Sequence, residues 1–255
     1  MATSNSPFLS LIIFLSIPLL SHSEPQLSLD YYKATCPDFA NIVTETVTTK
    51  QIATPTTAAA TLRIFFHDCM VDGCDASVLI APNKFNKVER DNELDHTLPG
   101  DGFDVVTRTK TALELACPMT VSCADILAQV ARDLVVMVGG PNYPVLLGRK
   151  DSLASQLNDY TKDPTMSAFL DLYTPGKFDN MYYQNLLKGL GLLSTDQMMA
   201  EDPRTRPFVE RYAANQTAFF VDFAEGMQKM GTIDVKTGDE GNIRRRCDVF
   251  NTVRT

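Results

Sequence analysis

An arginine and a histidine stand four residues apart in the most informative stretch of the chain. Arg63 and His67 lie in a segment rich in alanine, leucine and phenylalanine, which predicts a helix over residues 57–69. This spacing places both on one helical face, with Phe66 beside them. A neutral imidazole can take a proton from one peroxide oxygen and return it to the departing oxygen. A guanidinium stabilises the negative charge that develops. The pair is a candidate peroxide-cleaving site, although such a pair in isolation is also typical of an ion-paired helix end.

The residues after His67 are typical of a site for a hard cation. Asp68, Asp75 and Ser77 carry side-chain oxygens, and Val71 and Gly73 can offer backbone carbonyls. Alternating oxygen donors with a glycine at the turn suit Ca²⁺. Two cysteines could close this loop, and an acidic residue beyond it could complete the ligand shell: Cys69, Cys74 and Glu89. A solvated acidic loop is the alternative.

Helical periodicity dominates the elements that must position these residues. We predict a helix whose apolar face runs from Phe39 to Val47, after a cap at Asp38. Further helices are predicted over Phe103 to Ala116, from Ser122 to Gly139, over Phe178 to Leu187, and from Pro207 to about Met230. In the last helix we expect an inward face of Phe208, Tyr212, Phe219, Phe223 and Met227. Residues 72–101 are predicted to be a long loop region. With no alternating strand series, the predicted fold class is all-α.

Composition excludes several classes of protein. The 255 residues are 44% hydrophobic and 21% charged, which is typical of a globular chain with a core. A net charge of −8 disfavours binding to nucleic acid, because the phosphate backbone would be repelled. No later stretch is long and apolar enough to cross a membrane. We therefore expect neither nucleic acid nor a membrane as a partner, and a monomer.

The N-terminus is typical of a secretory signal. Phe8–Leu20 is almost wholly apolar but too short to span a bilayer, and Ser21 and Ser23 supply small residues for cleavage. The region before it lacks lysine and arginine, and a buried N-terminal helix is the alternative. The interpretation predicts a signal peptide over residues 1–23 and a mature domain over residues 24–255.

Secretion would make the six cysteines a disulfide framework whose pairing the sequence leaves open. They are Cys36, Cys69, Cys74, Cys117, Cys123 and Cys247. Asn215-Gln216-Thr217 is a glycosylation sequon that only a secreted chain can use. The expected location is the extracellular space or cell wall, with the vacuole as an alternative.

The stretch from Arg63 to Ser77 closely resembles the distal haem side of secreted plant (class III) haem peroxidases. Nearly all of the mature chain is similar to that family, including Val121 to Leu127, Leu147-Gly148-Arg149-Lys150-Asp151-Ser152, Thr174 to Asn180 and Gly241 to Asn251. The resemblance implies a haem-peroxidase-like helical fold with haem b and Ca²⁺ as cofactors. It implies oxidation of small phenolic donors by hydrogen peroxide, with peroxide removal and a response to oxidative stress.

The resemblance also assigns residues to roles. Arg63 matches the transition-state stabiliser and His67 the distal acid and base, with Phe66 and Asp95 in the pocket. The distal calcium ligands match Asp68, Val71, Gly73, Asp75, Ser77 and Glu89. Part of a proximal calcium site matches Asp171, Thr174, Lys177 (through its carbonyl) and Asp179. The family's disulfide pattern implies the pairs Cys36–Cys117, Cys69–Cys74 and Cys123–Cys247.

One departure from the family is large. Its proximal histidine, which binds the haem iron, lies between the motifs that match Asp151-Ser152 and Asp171. Here only 18 residues separate them, and the sequence has no haem iron ligand at that position. We predict an internal deletion near residues 156–157, because the two cysteines that normally flank this block and pair with each other are also absent. His96 matches the distal side and cannot replace the lost ligand; a methionine or tyrosine would make a different site.

A smaller departure concerns Asp95, which stands where the family usually has an asparagine that bonds the distal histidine. A carboxylate there favours the imidazolium form and would raise the pKa of His67, which would shift the working pH upward. A register slip would place Asn92 there instead. An unchanged pH–rate profile for Asp95→Asn in a full-length background would refute this.

Three functions follow as hypotheses. The first is a secreted haem peroxidase. The second is a catalytically silent, truncated, calcium-binding secreted variant without the proximal ligand. The third, a hydrolase using Cys69 or His67, is disfavoured because export would place Cys69 in a disulfide.

Overall fold

A computed structural model describes residues 27–82, 88, 98–155, 170–171 and 173–251. Within these ranges the chain forms a short 3-10 helix over Ser77–Leu79 and eight α-helices: α1 (Phe39–Ala53), α2 (Thr57–Val71), α3 (Gly100–Ala116), α4 (Cys123–Met137), α5 (Met181–Leu187), α6 (Ser194–Met199), α7 (Arg206–Ala214) and α8 (Gln216–Met230). The described residues contain no β-strand, only two isolated bridges, Ser28 with Leu147 and Asp151 with Asn242. The predicted all-α class is confirmed. None of the described helices is long and apolar enough to cross a membrane.

Helices α1 to α4 enclose the main core. α4 is buried over most of its surface, with Ile126, Leu127 and Val130 fully excluded from solvent. α2 packs closely against α3 at Gly102, where an added Cβ would lie 2.6 Å from Ile64 Cδ1. This close approach fixes the orientation of α2, the helix that carries the candidate catalytic pair.

A second, smaller cluster forms where α5, α6 and α7 meet. Its buried members are Leu186, Ala200 and Val209. Aromatic rings connect this region to α8, with Phe178 lying 5.4 Å from Phe219 and 4.7 Å from Phe223 between ring centroids. The backbone amide of Phe178 also donates to Val138 O, at the end of α4, over 2.8 Å. The small cluster is therefore attached to the main core through Phe178.

Most predicted helices are confirmed, and one prediction is wrong. The segment from Pro207 to Met230 forms two helices rather than one, because Asn215 takes an extended conformation between them. The Asn215 side chain then caps α8 by accepting a hydrogen bond from the Ala218 amide over 3.0 Å. The break also turns Phe208 outward, with 54% of its surface exposed, against the inward position we predicted. The short helix α6 has no counterpart in the prediction.

All six cysteines are paired, in the pattern that the family resemblance implied. The pairs are Cys36–Cys117, Cys69–Cys74 and Cys123–Cys247, and no cysteine is free. Cys123–Cys247 ties the start of α4 to the C-terminal segment, residues 231–251. The three disulfides therefore restrain the ends of α2, α3 and α4 around the main core.

Candidate active site and cation loop

α2 presents the candidate catalytic residues on the face that points away from the core. Arg63, Phe66 and Met70 are exposed and His67 is partly buried. Their spacing of three and four residues makes one continuous stripe along the helix. Arg63 and His67 are separated by about 6 Å of rise along the helix axis, slightly more than one turn. The structure thus brings together the two side chains that the sequence singled out for peroxide chemistry.

The opposite face of α2 anchors the helix. Ile64 and Phe65 are buried in the main core. Asp68 is also buried, and its carboxylate accepts hydrogen bonds from the backbone amides of Ala76 at 3.0 Å and Val78 at 3.4 Å. These bonds fold the loop that follows α2 back onto the end of the helix. The adjacent residues His67 and Asp68 therefore lie on different faces of α2: His67 is on the solvent-facing stripe, and Asp68 is buried.

The loop after α2, residues 71–77, collects the predicted oxygen donors. Val71 ends the helix, and Asp75 and Ser77 are buried at 0% and 1% exposure. Asp75 Oδ1 accepts from the Ser77 amide over 3.0 Å. Ser77 Oγ is buried and has no hydrogen-bond partner in the described structure. A buried hydroxyl oxygen next to two buried carboxylates fits a hard cation, which takes such oxygens as ligands.

Gly73 is required at its position in this loop for two reasons. Its φ of +98° lies in the left-handed region, and a Cβ there would collide with the backbone carbonyl of Asp234. The neighbouring Cys74 amide donates to Ile233 O over 3.1 Å. The loop is thus pressed against the C-terminal segment, and its shape depends on residues far away in the chain.

Burial raises the pKa of Asp68 to about 8, and the charge of Asp75 contributes to the shift. Two buried carboxylates repel each other, and each loses hydration. A bound divalent cation would remove both costs. The raised pKa of Asp68 therefore reflects its burial and the nearby charge of Asp75.

Two cations from the C-terminal segment reach this loop, and sequence reasoning missed both. Lys236 Nζ pairs with Asp75 Oδ2. Arg244 is fully buried, and its Nη2 donates to Ala76 O over 2.5 Å. Their separation from the loop exceeds 150 residues, so no local pattern could have signalled either contact. The similarity of Gly241 to Asn251 to the peroxidase family was the only available hint for Arg244.

The motif at residues 147–152 has a structural role. Asp125 of α4 is fully buried and accepts hydrogen bonds from Tyr32 Oη at 2.7 Å, Gly148 N at 2.7 Å and Arg149 Nη1 at 2.9 Å. Arg149 is itself buried and donates through Nε to Gly231 O over 3.0 Å. The ion pair therefore joins α4 to the end of α8.

The downstream acidic residues also come together. Thr174 Oγ1 lies 2.6 Å from Asp171 Oδ2 and 3.2 Å from Asp179 Oδ1, and Lys177 Nζ is 3.8 Å from Asp179 Oδ2. Burial alone would raise the pKa of Asp171, but hydrogen bonds, chiefly from Thr174, outweigh it and hold the pKa below its usual value. The carboxylates are thus satisfied by Thr174 and by neighbouring amides, including the Asn185 side chain at 3.0 Å.

Several predictions fall on residues outside the described ranges. These are the signal peptide, Glu89, Asp95, His96 and the junction near residues 156–157. Among the described residues, no group of three histidine, cysteine, aspartate or glutamate side chains could hold a metal. The loop after α2 offers two carboxylates, and its other predicted donors are carbonyl and hydroxyl oxygens. A cleft of about 780 Å³ lies between α1 and α3, and neither Arg63 nor His67 lines it.

Comparison with known proteins gives a consistent result. The profile of the family described as "Peroxidase" matches residues 43–169 and 160–215. The chain is 48% identical to Peroxidase 41 of Arabidopsis thaliana over 313 residues, covering 94% of this chain and 96% of that relative. It is 45% identical to Peroxidase 65 of the same plant over 322 residues, covering 97% and 96%, respectively.

Both alignments are longer than the chain itself, which has 255 residues. The relatives therefore contain residues that have no counterpart here. The family match nevertheless includes α2 with its arginine and histidine, the loop that follows it, and most of the helical core. By this similarity and by its all-α architecture, the chain belongs to the peroxidase family, among the plant class III haem peroxidases.

Proposed function

We propose that Arg63 and His67 are the peroxide-cleaving pair of this peroxidase. Their position on one solvent-facing stripe of α2 is the observation that carries the proposal. With haem bound, the His67 imidazole would take the proton from one oxygen of hydrogen peroxide and deliver it to the other, which would depart as water, while haem would supply the two electrons that the remaining oxygen needs. The Arg63 guanidinium stabilises the negative charge that develops on the departing oxygen. Both residues have to face the substrate, and their shared face on α2 supports this role.

The substrates proposed for this site are hydrogen peroxide and small phenolic donors, so that the reaction also removes peroxide. Haem b, when bound, supplies the iron chemistry that holds the oxidising equivalents of the peroxide until the donors are oxidised. Phe66, 51% exposed beside the pair, offers an apolar surface to such a planar group. The distal side of the described structure therefore fits haem.

The described residues do not fit the other side of a haem. Iron in this family needs a proximal histidine, and His67 is the only histidine within the described ranges. All six cysteines are in disulfides. Met70 lies on the same face as His67 and cannot supply a ligand from the opposite side. The described part of the chain thus contains no proximal histidine for the iron.

We infer that an internal segment carrying the proximal histidine is missing near residues 156–157. The excess length of the alignments supports this inference. So does the division of the family match into two parts, which overlap at residues 160–169.

A second candidate function is a catalytically silent, calcium-binding variant. The observation that favours it is that His67 is the only histidine within the described ranges. Calcium ligands are proposed in the loop after α2, with Glu89 completing the shell, and a partial proximal site at Asp171, Thr174, Lys177 and Asp179. Both functions share the distal scaffold and differ only in whether haem is held.

We also propose that the chain is secreted to the extracellular space or cell wall. Three disulfides without a free cysteine support this proposal, since disulfides persist in oxidising compartments. The exposed Asn215, which caps α8 and opens a sequon, is the proposed glycan acceptor.

Haem titration of the purified, oxidised chain tests these proposals. The parent chain is compared with a chimera that carries the corresponding segment of Peroxidase 41 between Gln156 and Leu157. If the segment is missing, the chimera gives the Soret spectrum of histidine-ligated haem at one equivalent, and the parent gives that of free haem. A five-coordinate, histidine-ligated spectrum from the parent would reject the silent variant.

The roles of Arg63 and His67 are tested in whichever protein holds haem. We expect His67→Ala and Arg63→Ala each to reduce peroxide-dependent oxidation of a phenol by at least about 100-fold. Met70→Leu, on the same face, serves as the matched control and should retain activity. Equal losses in all three variants would show that the helix face, rather than the pair, is responsible.

A further inference from the structure

The loop after α2 contains two buried carboxyl groups, and the charge of Asp75 must be balanced when no calcium is bound. Asp68 and Asp75 are 1% and 0% exposed, respectively. Backbone amides satisfy part of their hydrogen-bonding capacity, but amides carry no net charge. An uncompensated buried carboxylate is strongly destabilising. Some cation of the chain is therefore needed in the calcium-free state.

Lys236 is that cation. Its Nζ contacts Asp75 Oδ2, the carboxylate oxygen that does not bond the Ser77 amide. The backbone on which Lys236 stands is itself fixed, because its carbonyl accepts from the Lys150 amide over 2.8 Å. The lysine side chain is 27% exposed, so its end can reach solvent.

The other nearby cation, Arg244, makes no ion pair with Asp75 among the described contacts. Arg244 directs Nη2 to backbone carbonyls of the loop, and its charge faces Asp151, with Nε 3.8 Å from Asp151 Oδ2. Asp75 thus has its ion pair with Lys236, while Arg244 is engaged elsewhere. Calcium and an ammonium group repel each other, so they cannot share one carboxylate oxygen at ligand distance.

We propose that Lys236 is a tethered competitor of calcium at the distal loop. The ammonium group holds Asp75 when calcium is absent and must leave that oxygen when calcium binds. It stabilises the calcium-free chain and lowers the affinity for calcium by the same interaction. This inference rests on the calcium site of the proposed function and is independent of haem.

The test compares Lys236→Met with the parent and with Lys229→Met. Lys229 is a matched control, since it is 74% exposed and pairs with Glu225 on α8 rather than with a carboxylate of the loop. Calcium affinity is measured by calorimetry after chelation, and thermal unfolding is measured in excess chelator. We expect Lys236→Met to bind calcium about tenfold more tightly and to unfold at a lower temperature in chelator. Lys229→Met should change neither quantity.

A second variant controls for the case in which Lys236→Met fails to fold. Lys236→Gln keeps a hydrogen-bond donor for Asp75 without its charge, and it should also bind calcium more tightly than the parent. Calcium binding of equal or lower affinity in both variants overturns the role of Lys236 and leaves the calcium site standing. If neither the parent nor any variant binds calcium, the distal site and the proposal fail together.

Discussion

The buried ion pair between Arg149 and Asp125 allows a quantitative test of how the scaffold is held together. The two side chains are 2% and 0% exposed, and their closest atoms are 2.9 Å apart. Arg149→Met leaves the Asp125 carboxylate buried without a counter-ion, though with its bonds from Tyr32 and Gly148. Removing one member of a buried pair typically costs about 3–5 kcal/mol. We expect a loss of that size in the free energy of unfolding.

Urea denaturation of the oxidised protein, followed by far-ultraviolet circular dichroism at pH 7, measures this loss. With an m value of about 2 kcal/mol/M, the midpoint should fall by about 1.5–2.5 M. Arg206→Met is the matched control, because the Arg206–Glu210 pair lies on the surface at 58% and 51% exposure. An exposed pair contributes at most about 1 kcal/mol.

The double variant Arg149→Met, Asp125→Leu completes the argument. Replacing a buried ion pair by apolar side chains is often nearly neutral, so the double variant should be more stable than Arg149→Met alone. If Arg149→Met costs less than about 1 kcal/mol, the pair is not the link between α4 and α8 that the contacts indicate.

Three further predictions concern other parts of the fold. Burial raises the pKa of Tyr183 to about 12, above its usual value near 10, so the stability gained from keeping this phenol neutral is complete below pH 10 and is lost as the pH rises towards 12. Alkaline unfolding followed by tyrosinate absorbance measures this loss, and titration of Tyr183 near pH 10 in the folded protein would contradict it. Replacing Cys123 and Cys247 by alanine should lower the free energy of unfolding by about 5 kcal/mol, whereas replacing Cys69 and Cys74 should lower it by about 2 kcal/mol, because the sequence separations are 124 and 5. Urea midpoints that fall equally in the two variants would reject this argument from loop entropy. Asn215→Ala should lose a glycan and about 1 kcal/mol of stability from the cap of α8, whereas Thr217→Ala should lose only the glycan. Equal thermal stability of the two unglycosylated variants would refute the capping role.

Local patterns predicted most helices and the shared face of Arg63 and His67, because four-residue spacing on a helix fixes direction without reference to the rest of the chain. The same reasoning failed at Asn215, where an apolar stripe continued across a residue that breaks and then caps a helix. Hydrophobic periodicity indicates which residues face the core. It does not show where one short helix ends and a second begins in a new direction.

The family resemblance extended the prediction to the disulfide pairs, which the structure confirms, and to the calcium ligands. It also led to the proposal of an internal deletion, since only a known pattern can show what a sequence lacks. No spacing rule applied to the residues that remain would have suggested that the iron ligand is absent.

The sequence by itself determined the all-α class, the shared face of α2 that carries the proposed catalytic pair, and the oxygen-rich loop beside it. Only the tertiary structure decided which charges are buried and which partners they find. Lys236 meets Asp75 across 161 residues, and Arg149 meets Gly231 across 82. The cost of burying a charge depends on what the folded chain brings to it, and that proximity is a property of the packed structure rather than of any local segment.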